Sequence, residues 1–65
     1  MDYLTLIKER GEKLPDHLGD GLYASFDGYQ IWLRAERDGR WHEVAIDQHV
    51  YEALVRYNKR VHESS

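Results

Sequence analysis

Leu22-Tyr23-Ala24-Ser25-Phe26-Asp27-Gly28-Tyr29-Gln30-Ile31-Trp32-Leu33-Arg34 runs on into Ala35-Glu36-Arg37-Asp38-Gly39-Arg40-Trp41-His42-Glu43-Val44-Ala45-Ile46. Two Asp-Gly pairs, Asp27-Gly28 and Asp38-Gly39, stand eleven residues apart between residues that favour strands. Asp-Gly suits the two-residue type I′ hairpin turn, in which both central positions need φ > 0. The two turns predict three antiparallel strands, and with them which side chains share a face.

A turn at Asp27-Gly28 sets Phe26 opposite Tyr29, Ala24 opposite Ile31 and Leu22 opposite Leu33. A turn at Asp38-Gly39 sets Leu33 opposite Val44 and Ile31 opposite Ile46. Both registers assign Leu22, Ala24, Phe26, Ile31, Leu33, Val44 and Ile46 to one face, an agreement that a one-residue slip would destroy. The other face then carries Tyr23, Trp32, Arg34, Trp41 and Glu43, with Tyr23 expected across from Trp32 and Glu36 across from Trp41. Arg34 faces Glu43 there as an opposite-charge cross-strand pair.

Outward from the strands, Asp2 predicts an N-cap for a short helix over Tyr3 to Arg10, with Gly11 as its terminator. At two to three turns this helix is marginal alone and must dock, and either sheet face offers it a place. Residues 12–21 read as a loop, because Pro15, Gly19 and Gly21 interrupt regular structure; Leu14 and Leu18 are its expected anchors. Asp47 caps a second helix, in which Val50, Ala53, Leu54, Tyr57 and Val61 form one apolar stripe. That helix is the expected cover for the aliphatic sheet face. The reading is a single small α+β domain: a short helix at 1–11, a loop at 12–21, a three-stranded antiparallel meander at 22–46, and a helix at 47–62 packed against it.

The chain has 65 residues and no cysteine, so neither disulfides nor thiolate metal sites can staple it. A compact core, self-association or a partner must stabilise it, and a short chain gains much by burying a face against its own copy. Twelve acidic residues against nine basic ones give a net charge of −3, unlike the basic balance of a non-specific nucleic-acid binder. No apolar run approaches the roughly 20 residues needed to span a bilayer, and the first residues lack the pattern of a secretory signal. The expectation is a soluble, cytoplasmic protein with no membrane association.

The aromatic face is the sharpest candidate site. Tyr23, Trp32 and Trp41 with Arg34 and Glu43 admit three readings: a second small core beneath helix 1 or the 12–21 loop, a protein or self-association interface, and a stacking platform for single-stranded nucleic acid. Arg56, Lys59 and Arg60 end the second helix and could contact phosphates, but cations there also complement the helix dipole. Glu12, Asp16, Asp20 and Asp27 lack the alternating oxygen ligands and closing glutamate of an EF-hand. His17, His42, His49 and His62 do not form His-Glu-x-x-His, and Ser25, Ser64 and Ser65 have no recognisable nucleophile setting. No catalytic residue, metal site or cofactor is expected.

The segment from Gly21-Leu22-Tyr23-Ala24-Ser25-Phe26 through Val61, within a helix–meander–helix order, resembles the small accessory proteins of phages and mobile elements, the anti-CRISPR proteins among them. The likeness is one of style without a shared motif, so it carries over no residue roles. It implies a non-enzymatic inhibitor that occludes a surface of a larger host or defence complex; the net charge of −3 departs from the strongly acidic DNA-mimic type. The expected function is a protein-binding module using Tyr23, Trp32, Arg34, Trp41 and Glu43. The alternatives are a nucleic-acid-binding accessory protein, disfavoured by the charge, and a self-associating regulator acting as a homodimer.

Overall fold

The computed structural model describes residues 2–64, so the hydroxyl candidate Ser65 lies outside the described residues. The elements are α1 (Tyr3–Glu9), β1 (Lys13–Gly19), β2 (Leu22–Phe26), β3 (Ile31–Arg37), β4 (Arg40–Ile46) and α2 (Gln48–Ser64). The sheet is antiparallel with order β1-β2-β3-β4. The α+β class and both helices agree with the expectation, but the meander has four strands, not three.

The extra strand is β1, inside the stretch expected to be a loop. It pairs with β2 through Lys13–Phe26, Asp16–Ala24, His17–Tyr23 and Gly19–Leu22, with irregularities at two points. Leu14 sits at φ 56° beside Pro15. Proline lacks a ladder donor and is tolerated in a sheet only at an edge or a bulge; β1 is such an edge. The turn into β2 is a third Asp-Gly pair, with Asp20 at φ 51° and Gly21 at φ 77°. Leu14 and Leu18, the expected anchors, are exposed.

The β3–β4 register agrees at every expected pair: Ile31–Ile46, Leu33–Val44, Arg34–Glu43 and Glu36–Trp41. Asp38 (φ 56°) and Gly39 (φ 73°) both take the positive φ that a type I′ turn needs. A β-branched side chain is strained at such a φ, so Gly39→Val is expected to lose about 1–2 kcal/mol, read as a lowered urea midpoint.

The β2–β3 turn differs. Phe26 pairs with Ile31, Ala24 with Leu33, Ser25 with Trp32 and Tyr23 with Arg34, two residues from the expected register. The loop therefore holds four residues, and Asp27 is not among the positive-φ positions. Its carboxylate accepts the backbone N–H groups of Tyr29 (2.8 Å) and Gln30 (2.7 Å) and the Trp32 indole N–H (2.8 Å). These bonds need Asp27 in a wider turn. A shift of two preserves side-chain direction, so the seven apolar residues still share one face.

Helix α1 docks on the sheet as expected, whereas α2 differs in its packing. Helix α1 is capped by Asp2, which accepts the Thr5 N–H at 2.8 Å, and buries Tyr3 and Ile7. Helix α2 is capped by Asp47, which accepts the Val50 N–H at 2.9 Å, and runs to Ser64, two residues past the expected end. It buries none of its residues, and its main contact with the sheet is at β4. The expectation that α2 packs over the aliphatic face is therefore corrected. Asp47 alone separates Ile46 from Gln48, whereas a chain turning from a strand back over its sheet commonly uses 2–6 residues.

The molecule measures 40 × 28 × 15 Å. A 17-residue helix is about 25 Å long and a seven-residue strand about 23 Å, so the 40 Å extent reflects a helix projecting beyond the sheet. The radius of gyration is 13.4 Å, against roughly 11 Å for a compact chain of this length.

Candidate functional site

The aromatic face of the sheet is partly covered by α1. Tyr3 of α1 lies over it, its ring centroid 4.6 Å from Tyr23 and 5.7 Å from Trp41, and its hydroxyl donates to the Ala24 carbonyl at 2.7 Å. Tyr23 also meets His17 of β1 at 4.7 Å and Trp41 edge-on at 5.9 Å. The Trp32 ring lies 5.0 Å from the Arg34 guanidinium, with its indole tied to Asp27. Tyr23, Trp32 and Trp41 are half-buried, and the contacts that occupy them are internal.

Beneath α1 sits a closed ionic cluster. Arg34 is fully buried and Ser25 is 2% exposed. Arg34 grips Glu12 in a bidentate pair: Nη1 donates to Oε1, and Nη2 donates to Oε2 at 2.8 Å. Its Nε donates to Glu43 Oε2 at 2.6 Å and its Nη1 to Ser25 Oγ at 3.2 Å; the Ser25 hydroxyl donates to Glu12. Arg10 closes the outer rim on Glu43 at 3.3 Å. No buried side-chain polar atom among the described residues lacks a partner, as burial of charge requires.

Glu12 reaches this position because of how α1 ends. Gly11 at φ 71° lets the Gly11 N–H donate to the Lys8 carbonyl and the Glu12 N–H donate to the Ile7 carbonyl. That is a Schellman turn, and it delivers the next carboxylate onto the sheet. Hydrogen bonding from Arg34 holds both Glu12 and Glu43 below the ordinary glutamate value, against the opposing effect of desolvation. Hydrogen bonding to Glu12, then to Glu43, raises Arg34 in turn.

Thus the structure places Tyr23, Arg34, Trp41 and Glu43 on one face as expected, with Arg34 buried, Tyr23 and Trp41 half-buried and Glu43 at the rim. Arg34 donates to Glu12, Glu43 and Ser25. Glu43 keeps a side chain 29% exposed. Arg56, Lys59 and Arg60 lie on exposed turns of α2, with Arg60 5.3 Å from the Tyr57 ring. Of the rings proposed to stack bases, Tyr23 and Trp41 meet Tyr3 of α1 and each other, and Trp32 meets Arg34 and Asp27. Among the described residues no three His, Asp or Glu side chains group as a metal site, and no helix is long and apolar enough to cross a membrane.

Two clefts of about 530 and 480 Å³ open beside Tyr3 and Tyr23, the second also against Trp41, and further open surface lies on the opposite face. On the aliphatic face Val44 is 55% exposed, while Leu22, Ala24, Phe26, Ile31 and Leu33 are half-buried. A shallow groove of about 300 Å³ runs there, lined by Leu22, Leu33, Ala35, His42, Glu43 and Val44. On α2 the stripe of Val50, Leu54, Tyr57 and Val61 is exposed along its length. The stripe itself was legible in the sequence; its freedom from the sheet was not. No protein-family model, curated protein or solved structure matches the chain.

Proposed function

We propose that this chain is a non-enzymatic protein-binding module that acts by covering an apolar protein surface. One observation carries the reading: the molecule exposes 5257 Å², roughly 900 Å² above the 4,300 Å² or so expected of a compact 7.7 kDa monomer. The exposed apolar residues include Val44 on the sheet face and Val50, Leu54, Tyr57 and Val61 along α2. Exposed apolar patches mark interaction sites. In the narrower form implied by the likeness to phage accessory proteins, the covered surface belongs to a larger host or defence complex.

The binding residues under this reading are Leu33 and Val44 on the sheet and Leu54, Tyr57 and Val61 on α2. The test is affinity capture with the tagged chain and with its Val44→Asp/Leu54→Asp variant, from lysate with and without nuclease, with an untagged copy of the chain also supplied. A specific protein retained by the parent in both arms and lost by the variant is expected. Retention that disappears with nuclease, or that the variant keeps, overturns the reading.

A further inference from the structure

We propose that the open face receives a second copy of this chain, with α2 of each copy seated on the aliphatic sheet face of the other. The inference rests on the protein-binding reading above and names the partner. Two apolar surfaces stand unpartnered in one chain, and they match in kind: a helix stripe of Val50, Leu54, Tyr57 and Val61, and a sheet face grooved along Leu22, Leu33 and Val44. They match in length as well, the helix being about 25 Å and the strands about 23 Å.

The connection between them decides which copy they meet. With Asp47 alone between β4 and α2, and that residue fixed as the cap of α2, the helix is held away from its own sheet. A second molecule presents the same sheet face without that constraint. Short hinges that forbid an intramolecular contact favour its intermolecular equivalent. Because both copies give a helix and receive one, the arrangement closes on a two-fold axis and does not propagate.

The surface in excess of a compact monomer is of the order that an interface needs. The excess surface of roughly 900 Å² per chain is close to the 800 Å² or so that each partner buries in a stable interface. The groove of about 300 Å³ offers a seat for an anchoring side chain of the α2 stripe.

Two measurements on the purified full chain test this. Sedimentation is expected to give about twice the 7.7 kDa chain mass, with dissociation on dilution. The native chain has no cysteine, so Val44→Cys and Leu54→Cys variants, mixed and bridged with a short thiol cross-linker, report which surfaces meet. Cross-links between the two variants, exceeding those within either alone, are expected. A chain that stays monomeric at millimolar concentration overturns the inference, as does a dimer cross-linked mainly from Leu54→Cys to itself. A monomer that still captures a different protein from lysate overturns only the second-copy proposal; a monomer that captures nothing overturns the binding reading too.

Discussion

Arg34→Ala is expected to remove a large part of the folding free energy and to lower the urea midpoint sharply. Removing one partner from a buried ion pair typically costs about 3–5 kcal/mol, because the other charge is stranded. The stranded group here is Glu12, whose side chain is 2% exposed; Ser25 loses a donor as well. A domain of this length has roughly 3–10 kcal/mol to lose. Far-UV circular dichroism and a urea titration read the result, and an unchanged midpoint would show that the cluster contributes nothing. The double variant Arg34→Met/Glu12→Leu is expected to recover part of the loss, since the buried charge pair is gone, the remainder being the Ser25 hydroxyl left without either partner.

The same cluster sets the acid limit. Glu12 and Glu43 have folded values below their ordinary 4.5, so the folded state binds fewer protons than the unfolded state in that range. Their stabilising contribution is complete above about pH 4.5 and is lost as pH falls through the lower folded values. The melting temperature is therefore expected to decline below pH 4.5, and the Arg34→Met/Glu12→Leu variant should decline less.

Tyr3→Ala is expected to cost about 3 kcal/mol, the usual loss when a buried aromatic is truncated. Tyr3 is 9% exposed and holds α1 to the sheet through two ring contacts and one hydrogen bond. Seven residues of helix cannot persist undocked. The loss should therefore spread to the Schellman turn and release Glu12 from Arg34. Tyr3→Phe keeps the rings and loses only the bond to Ala24, so about 1 kcal/mol is expected. A red-shifted tryptophan emission in Tyr3→Ala, absent from Tyr3→Phe, distinguishes undocking from simple truncation. Equal midpoints for the two variants would mean that the ring contacts do not hold α1.

The two hairpins read from Asp-Gly differ in legibility for a local reason. At Asp38-Gly39 the turn backbone alone sets the register, and that register was readable to the residue. At Asp27-Gly28 the aspartate carboxylate serves Tyr29, Gln30 and Trp32, a side-chain competition that moved the pairing by two while leaving the faces intact. Strand β1 was missed because Pro15 and the glycines around it suggested a loop, although Asp20-Gly21 offered the same turn signal as the other two pairs.

In the site, the Arg34–Glu43 pair followed from strand register. Glu12 did not, because its approach depends on how α1 ends and docks, neither of which has a sequence period. For α2 the apolar stripe was visible, but its destination depended on the one-residue link to β4. Helix amphipathicity identifies a face to be covered without naming what covers it.

The irregularity that concealed β1 has a use of its own. An edge strand with a continuous row of free amides and carbonyls is a template for adding further strands, and growth from it leads to fibres. Along β1 the proline has no amide hydrogen, Leu14 turns out of the extended conformation, and the pairing slips at two points. An incoming chain would find no uninterrupted ladder to extend at this edge. The kinks that weaken β1 as a strand make it a terminus for the sheet.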